Sequence, residues 1–332
     1  MSADIPGSDA ALTARLAADL ARIWPEGARE PAPKLAVAVS GGADSLALLL
    51  LAHAARPGGI EAATVDHGLR AESADEAERV AEVCGRLGVP HVTLRVTLAE
   101  GNLQAEARHA RYAALAEWMT SRSLAALATA HHADDQAETL LMRLNRAGGV
   151  AGLAGVRERG RVPSADWPLL RPLLGWRRAD LAAVVAAAGL IAVDDPSNAN
   201  DRFERVRIRQ ALAGTSPDWL DIPAIAASAG HLADADAALD WAAAREWSEA
   251  VNTEGLGLIY RPRAPRAIVL RVLARIVRQL DGEDARGQAL ARLFDSLIAR
   301  QPASIGGLVA RPLPGGWSFM KAPQRRAKTG AN

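Results

Sequence analysis

An apolar segment that runs through a glycine loop directly into a second apolar segment constrains the fold of this chain more than any other feature. Leu35–Val39 has the length of a buried strand, Ser40–Ser45 contains two glycines, and Leu46–Ala55 has the length of a helix. A strand that passes into a helix through so short a loop is the first half of a β–α–β unit. The sequence therefore predicts an α/β fold built on a parallel sheet.

The same alternation continues toward the middle of the chain. Near-continuous apolar strands, such as Leu124–Ala130, are typical of sheets that are covered on both faces. The predicted strands after the first are 60–65, 91–96 and 124–130, and the predicted helices are 73–87, 102–121 and 134–146. This order favours a doubly wound, Rossmann-like parallel sheet with helices on both faces.

The loop between the first strand and helix has the properties of a phosphate-binding site. It consists of Ser40, Gly41, Gly42, Ala43, Asp44 and Ser45. The backbone N–H groups at the start of the helix have no intrahelical partner, the glycines let an anion approach them, and the serines add hydroxyl donors. The loop lacks the lysine of the Walker pattern and is not the G-x-G-x-x-G fingerprint of dinucleotide-binding folds. The alternative is an ordinary serine-capped helix that follows a glycine-rich turn.

Asp44 conflicts with a simple anion site. A carboxylate in the first turn suits the helix dipole but would repel a bound phosphate. A divalent cation between the two would remove the conflict, so we expect Mg²⁺ at Asp44.

Polar motifs follow two further predicted strands. Asp66-His67-Gly68 comes after the second strand, and His131–Asp135 comes after the strand at 124–130. Because ligands of open α/β sheets bind at the carboxyl ends of the strands, we expect both motifs to lie beside Ser40–Ser45. Asp66 is a candidate ribose or metal contact, with a plain turn as the equal alternative.

Acidic residues at the start of the 134–146 helix are candidate ligands for a metal or an ammonium group. Asp134 and Glu138 are four residues apart, and Asp135 and Glu138 are three apart, so either pair can share a helix face. We favour Asp134 because it is nearest to the strand end. His131 and the adjacent His132 should diverge, so that one of them at most reaches a ligand.

The Ser40–Ser45 loop resembles the SGGxDS motif of the PP-loop ATP pyrophosphatases. Further motifs look like those of one branch of that family, the tRNA(Ile)-lysidine synthetases. They are Val65–Arg70, Asn102–Arg108 with Arg111-Tyr112, Thr129–Thr139, Arg171–Leu174, Asp195–Asn198 and the stretch to Ile208-Arg209. The resemblance is rich in motifs from 35 to 210 and weak beyond.

The resemblance implies a two-step ligation. ATP transfers AMP to O2 of the wobble cytidine, C34, in the CAU anticodon of tRNA(Ile), and free L-lysine then displaces AMP from C2 to give lysidine. It implies that ATP binds at the loop as a substrate together with Mg²⁺, with Asp44 and Asp134 near the metal. Arg111 matches an arginine of the family motif and is the candidate catalytic group at the α-phosphoryl, and Arg108 is the second candidate. For both arginines the alternative is a solvent-facing helical charge.

Other candidate substrate contacts follow from the same motifs. They are Asp66, His67, Arg108, His131, Asp135 and Glu138. Two positions depart from the family pattern. Gln104 stands where the family has glutamate, and Val206 stands where it often has asparagine. The first departure leaves open a carboxylate role at 104, and the second leaves open an amide contact at 206.

Two domains are expected in a chain of 332 residues. We predict a PP-loop domain at 1–214, in which 147–214 forms a flexible glycine-rich loop and a helical extension. Residues 215–332 are predicted to form a smaller, helical and basic tRNA-binding domain. Eight arginines lie between 141 and 178, and six lie between 261 and 278. Arginine suits phosphate contacts, but such runs can also be solvated faces.

The single Cys84 excludes a disulfide framework and a Cys-rich zinc site, and it argues against tRNA thiolases of related fold that use several cysteines. The longest apolar run, Leu46–Ala52, is too short to span a bilayer, and the start of the chain is not basic. We therefore expect a cytoplasmic protein that does not enter a membrane, as a monomer or a homodimer. The alternatives are a PP-loop synthetase that adenylates another RNA or a small molecule, and a non-catalytic ATP-binding module.

Overall fold

The structure is a computed structural model, and it divides the chain into two compact units. It describes residues 9–68, 72–97, 103–163, 165–193, 204–214, 220–285 and 287–322. The units are Met1–Ala233 and Asp234–Asn332. The division lies inside a long helix, α9 (Ile222–Ala250), rather than at the predicted position between 214 and 215.

The first unit is built around one six-stranded sheet. Its strands are β1 (Leu35–Ala38), β2 (Ile60–Asp66), β3 (His91–Arg95), β4 (Ala126–Ala128), β5 (Arg159–Arg161) and β6 (Pro168–Leu170). Its helices are α1 (Ala10–Ile23), α2 (Ala43–Ala55), α3 (Glu72–Leu87), α4 (Leu103–Ser121), α5 (Ala133–Leu144), α6 (Val150–Leu153), α7 (Arg178–Ala187) and α8 (Glu204–Gly214), with a 3-10 turn at Pro25–Ala28. The predicted α/β fold with a doubly wound parallel sheet is confirmed.

The strand order is β3-β2-β1-β4-β6-β5, and β5 pairs antiparallel with β6. The chain moves outward from β1 to β2 and β3, and then crosses to β4 on the other side of β1. The direction of winding therefore reverses between β1 and β4, which is where ligands bind in open α/β sheets. Leu35 lies opposite Ile60 on one side and Ala126 on the other, so the carboxyl ends of β1, β2 and β4 meet at one edge.

Both faces of the sheet are covered, which explains the continuous apolar strands. Helix α2 is apolar on all sides, and Leu46–Ala52 is buried in the larger core together with Cys84. On the opposite face, Leu115 and Met119 of α4 pack on β1, β2 and β4 residues such as Leu127. Burial raises the pKa of the Cys84 thiol to about 12, so the prediction that it is a buried apolar residue is confirmed.

Helix α1 is an addition to the sequence prediction. Its Leu16, Leu20 and Ile23 are buried in the larger core, and Asp9 caps its first turn. The guanidinium of Arg15 lies 4.2 Å from the ring centre of Trp176, whose Nε1 donates to Asp19 at 3.0 Å. The apolar spacing and the Asp9 cap were available as a signal in the sequence.

The glycine-rich segment 148–160 belongs to the loop that is predicted to be flexible, and part of it forms regular structure. It contains α6 and leads into β5, and it is attached to α5 by one side chain. The amide of Gln136 donates to the Val156 carbonyl and accepts from the Val156 N–H, both at 2.8 Å. Gly155 has a φ of +61°, and a Cβ there would lie 2.5 Å from Gln136 Oε1.

The second unit has the helices of the predicted smaller, helical C-terminal domain and adds an antiparallel sheet that was not predicted. Besides α9 it has α10 (Arg266–Asp281), α11 (Gly287–Ile298), β7 (Val251–Glu254), β8 (Gly257–Tyr260), β9 (Ala303–Ile305), β10 (Leu308–Leu313) and β11 (Gly316–Lys321). The strands form an antiparallel sheet in the order β7-β8-β11-β10-β9. Its hairpin turns use Gly255, Gly306 and Gly315, each at positive φ. Pairs of such glycines were the overlooked hairpin signal.

The membrane question has one structural answer. Across the described ranges, no helix combines the length and the apolar character that a membrane crossing requires.

Candidate active site

A cavity of about 710 Å³ opens at the carboxyl edge of β1, β2 and β4. Its polar lining comes from each of the three predicted motifs and from α4. These residues include Ser40, Gly42, Asp44, Ser45, Asp66, His67, Arg108, Arg111, His131 and Asp135. Residues far apart in the sequence are therefore brought together at the winding reversal.

The loop before α2 is braced by its own hydroxyl groups. Ser45 Oγ donates to the Gly42 carbonyl at 2.9 Å and accepts from the Ser40 N–H at 3.1 Å. Gly41 has a φ of +85°, a conformation that favours glycine, and its carbonyl accepts from Val193 N–H at 3.0 Å. Gly42 is the N-cap of α2, without a side-chain cap. The first amides of α2 are thus left for an anion.

Asp44 has one partnered and one unpartnered carboxylate oxygen. Its Oδ2 lies 3.4 Å from His132 Nε2. Its Oδ1 is buried and has no hydrogen-bond partner among the residues that the structure describes. A buried carboxylate oxygen without a partner is costly unless a ligand satisfies it, and beside an anion cradle that ligand would be a cation.

A magnesium ion would fit this donor set through Asp44. Within the described part of the chain, no group of three or more His, Cys, Asp or Glu side chains could hold a metal by itself. Magnesium is often bound by one or two carboxylates together with substrate phosphates and water, so a lone carboxylate at the cradle is compatible with it.

His131 and His132 diverge at the start of α5. His131 lines the cavity, and its Nδ1 lies 3.1 Å from Thr129 Oγ1. Burial lowers the pKa of His131 to about 4 although Asp135 opposes the shift, and the charges of Arg171, Arg108 and Arg205 add to it. The imidazole facing the cavity is therefore neutral at pH 7. His132 is only 2% exposed and lies behind it.

The structure brings Asp135, rather than Asp134, to the cavity. Asp134 accepts from Arg177 Nη2 at 3.1 Å, from Arg177 Nε at 3.2 Å and from the Arg178 N–H at 2.9 Å, which directs it to the start of α7. Those contacts, with Arg177 foremost among the charged groups, hold the pKa of Asp134 below its usual range despite burial. The geometry therefore does not support the preference for Asp134 as a metal ligand and catalytic residue. Its carboxylate is already bound by Arg177, which is distant only in the sequence.

Glu138 is 1% exposed and does not line the cavity. It accepts from Arg209 Nε at 2.7 Å and lies 3.2 Å from Arg205 Nε, so it fastens α8 to α5. Arg209 also lies 4.0 Å from Asp135. Of the two predicted acid pairs, Asp135 and Glu138 thus share a face.

Helix α4 presents two arginines to the cavity. Arg108 and Arg111 both line it, and the Arg108 guanidinium lies 5.1 Å from the ring centre of Tyr112. Partial removal from water lowers the pKa of Arg111, and neighbouring Arg108 adds to the shift. Both arginines thus face the cavity, and their contact with an anionic ligand stays a prediction.

Asp66 and His67 differ in character. Asp66 Oδ1 accepts from the Ser73 hydroxyl at 2.7 Å and from the Gly68 N–H at 2.9 Å, and both bonds lower its pKa. This is the turn-forming role that was left open for Asp66. His67 lines the cavity, and both of its ring nitrogens are buried and find no hydrogen-bond partner among the described residues. Burial lowers the pKa of His67, and Arg111 contributes.

Comparison with known proteins decides the family. The PP-loop domain family matches residues 12–215. The tRNA(Ile)-lysidine synthase of Novosphingobium aromaticivorans is 49% identical over 304 residues, which cover 90% of this chain and 92% of that protein. The synthase of Zymomonas mobilis is 41% identical over 301 residues, which cover 88% of this chain and 90% of that protein. The chain belongs to the tRNA(Ile)-lysidine synthase family. The resemblance inferred from its motifs is confirmed.

A solved structure similar to this lysidine synthase family member is the U34-tRNA thiolase NcsA of Methanococcus maripaludis with its 4Fe-4S cluster. It is 16% identical, with a TM-score of 0.52, and the match covers 67% of this chain and 80% of that one. At this identity the likeness concerns the fold alone. The chain has one cysteine, Cys84, and it is buried.

The two departures from the family pattern lie on different helices, Gln104 on α4 and Val206 on α8. The side chain of Gln104 lies outside the described residues. Val206 is 6% exposed on α8, where an apolar residue suits the interior. Its neighbour Arg205 lines the cavity, and sequence reasoning missed it as a site residue. The spacing of Arg205 and Arg209 on one helix, facing an acidic helix start, was the available signal.

Many arginines in the two basic runs of this protein, 141–178 and 261–278, have partners within the protein. In the first unit, Arg159 donates to Glu26 at 2.8 Å, and Arg146 pairs with Glu204. In the second, Arg271 donates to Asp236 at 2.6 Å and to Asp240 at 2.7 Å. Much of each run therefore has a structural role. The sequence also has basic residues near its end, Arg325, Arg326 and Lys328, which lie outside the described residues.

Proposed function

We propose that this chain ligates L-lysine to C2 of the wobble cytidine, C34, in the CAU anticodon of tRNA(Ile), through an adenylated cytidine, to form lysidine. Its curated relatives carry the name tRNA(Ile)-lysidine synthase over most of its length. ATP is the adenylating substrate, and the reaction belongs to the cytoplasm. The PP-loop region 1–214 carries the chemistry, and 215–332 binds tRNA.

One observation carries this proposal. The cavity joins an anion cradle, the Oδ1 of Asp44, two arginines of α4 and a neutral His131 beside Asp135. Phosphate binding alone would not require the acidic start of α5. The combination suits a reaction that first builds negative charge on phosphates and then receives a cationic amine.

In the first step, O2 of the cytosine attacks the α-phosphorus of ATP, the bond to pyrophosphate breaks, and pyrophosphate leaves. The amides at the start of α2 bind the departing phosphates, and Arg111 contacts the α-phosphoryl group. Magnesium, when bound through Asp44, supplies further neutralisation of phosphate charge. Arg108 adds positive charge beside Arg111.

In the second step, the ε-amine of lysine bonds to C2, the bond from C2 to O2 breaks, and AMP leaves with that oxygen. Free lysine has a pKa of about 10.4, so a proton must leave its nitrogen. Asp135 is the carboxylate that faces the cavity, and it attracts the ammonium group. His131, held neutral, and His67 are the imidazoles within the same lining.

The test is incorporation of radiolabelled lysine into a tRNA(Ile) transcript with a CAU anticodon, in the presence of ATP and Mg²⁺. We expect label in tRNA and an equal amount of pyrophosphate. A transcript that differs only in a uridine at the wobble position is the matched control and should remain unlabelled. Absence of label with intact tRNA and excess enzyme would contradict the proposal. Pyrophosphate release without tRNA would favour a small-molecule synthetase, and absence of any AMP product would favour an ATP-binding module.

A further inference from the structure

His132 occupies a position between two parts of the site that come from different motifs. Its side chain is 2% exposed and lies at the N-cap of α5. Nε2 lies 3.4 Å from Asp44 Oδ2 and 3.6 Å from Asp135 Oδ2. One ring nitrogen thus contacts both the cradle and the acidic start of α5.

The other ring nitrogen has a local structural task. Nδ1 accepts from the Asp135 N–H at 3.4 Å, and the Asp135 carboxylate accepts from the His132 N–H at 3.2 Å. Together these contacts form a capping box. Asp134 Oδ2 also lies 3.7 Å from Nδ1. Because Nδ1 accepts from the Asp135 N–H, the proton of the ring is assigned to Nε2, on the side that faces Asp44 and Asp135.

The contact with Nε2 distinguishes the two oxygens of Asp44. Oδ2 is engaged by the imidazole, whereas Oδ1 is buried and meets no hydrogen-bond partner within the described part of the chain. An aspartate in the first turn of a helix has several rotamers, and an anchored Oδ2 limits them. Groups that orient a ligating carboxylate commonly change metal affinity or activity by 10- to 100-fold when they are removed.

We propose that His132 is a positioning residue for the ATP cradle, which holds Asp44 through Nε2 so that Oδ1 is presented to the cation that accompanies ATP. His132 itself touches neither the nucleotide nor the reacting atoms. The identity of the nucleotide rests on the proposed function, but the contact with Asp44 does not. The competing interpretation is that His132 is only a buried helix cap.

Two substitutions separate these interpretations because each of them places a polar group near only one of the two ring nitrogens of His132. In His132→Asn the amide oxygen takes the place of Nδ1, and asparagine is a strong N-cap. In His132→Gln the longer side chain brings its amide near the place of Nε2 and gives up the cap. Measurements are the melting temperature without ligand and equilibrium binding of ATP with Mg²⁺ and with EDTA.

We expect His132→Asn to melt near the wild-type temperature but to bind ATP at least about tenfold more weakly with Mg²⁺, and equally well with EDTA. His132→Gln should melt earlier and bind ATP with Mg²⁺ within about threefold of wild type. Wild-type binding by His132→Asn with Mg²⁺, or equal weakening with and without Mg²⁺, would overturn the proposal.

A double-mutant cycle keeps the proposal testable if His132→Gln folds poorly. In an Asp44→Asn background, His132→Asn should cause no further loss of Mg²⁺-dependent ATP binding, because the carboxylate that it positions is gone. Additive losses would contradict a role through Asp44. Neither binding experiment uses tRNA or lysine, so failure of the ligation activity and failure of this inference give different results.

Discussion

The carboxylate of Asp44 combines two properties that rarely coexist without a ligand. It lies in the first turn of α2, beside amides that favour an anion, and its Oδ1 is buried with no hydrogen-bond partner in the described ranges. Removing the charge while keeping the shape tests whether a cation belongs there. We expect Asp44→Asn to lower pyrophosphate release by about 100-fold or more, since a metal contributes several kcal/mol to such a transition state.

The control for Asp44→Asn is its own folding. Asparagine is nearly isosteric, so the melting temperature without ATP should stay close to that of wild type. A variant that releases pyrophosphate at the wild-type rate would show that the carboxylate holds no cation.

His131 gives a pH prediction at the same scale. Its pKa is lowered to about 4, chiefly by burial, from an ordinary value near 6.5. The unfolded chain therefore binds more protons than the folded protein between these values, so His131 reduces stability as the pH falls from about 6.5 to 4. In His131→Gln, the free energy of unfolding in urea should fall less steeply over this window.

The matched control is His109→Gln, since His109 is exposed on α4. It should follow the wild-type pH dependence. If His131→Gln and wild type lose stability in parallel below pH 6.5, folding does not lower the pKa of His131.

At the scale of elements, the attachment of the 148–160 segment to α5 is the most specific contact. Gly155→Ala would put a methyl group 2.5 Å from Gln136 Oε1 at a positive φ. We expect a loss of about 2 kcal/mol or more in the free energy of unfolding. Gly85→Ala is the opposing control, because Gly85 is helical and a Cβ there meets nothing within 4 Å. It should gain up to about 1 kcal/mol. Equal changes in the free energy of unfolding for the two variants would contradict a specific contact between Gly155 and Gln136.

Elements were predictable where local pattern and burial agree. Leu35–Ala38 and α2 are apolar throughout because both faces of the sheet are covered. The C-terminal sheet was not predicted because its strands are short and their signals conflict: β10 alternates buried Leu308 and Ala310 with exposed Arg311, but also contains Pro312.

The site was predictable to the level of motifs but not of side-chain direction. Spacing alone made Asp134 and Asp135 equivalent, and nearness to the strand end favoured Asp134. Arg177, the N-cap residue of α7, pairs with the Asp134 carboxylate and so directs it toward α7. Asp135 is left to face the cavity. Likewise, no local pattern reveals that His132 Nε2 meets Asp44.

For the molecule as a whole, the arginine runs raise the question of how tRNA affinity depends on salt. Each phosphate contact should contribute to the slope of log affinity against log salt, whereas an arginine paired inside the protein should not. Arg143 is an exposed residue of α5, and Arg271 is engaged by Asp236 and Asp240 in the second unit. We therefore expect the two residues to differ in their contribution to the salt dependence of tRNA binding.

We expect Arg143→Ala to weaken tRNA binding and to reduce the salt slope by about one, with little change in melting temperature. Arg271→Ala should leave the slope unchanged and cost about 1 to 3 kcal/mol of stability, because Asp236 is buried and loses a charged partner. Filter binding across a salt series, alongside calorimetry, measures both. A reduced slope for Arg271→Ala with unaltered stability would mean that this arginine leaves its aspartates to contact phosphate, and that the paired runs serve RNA after all.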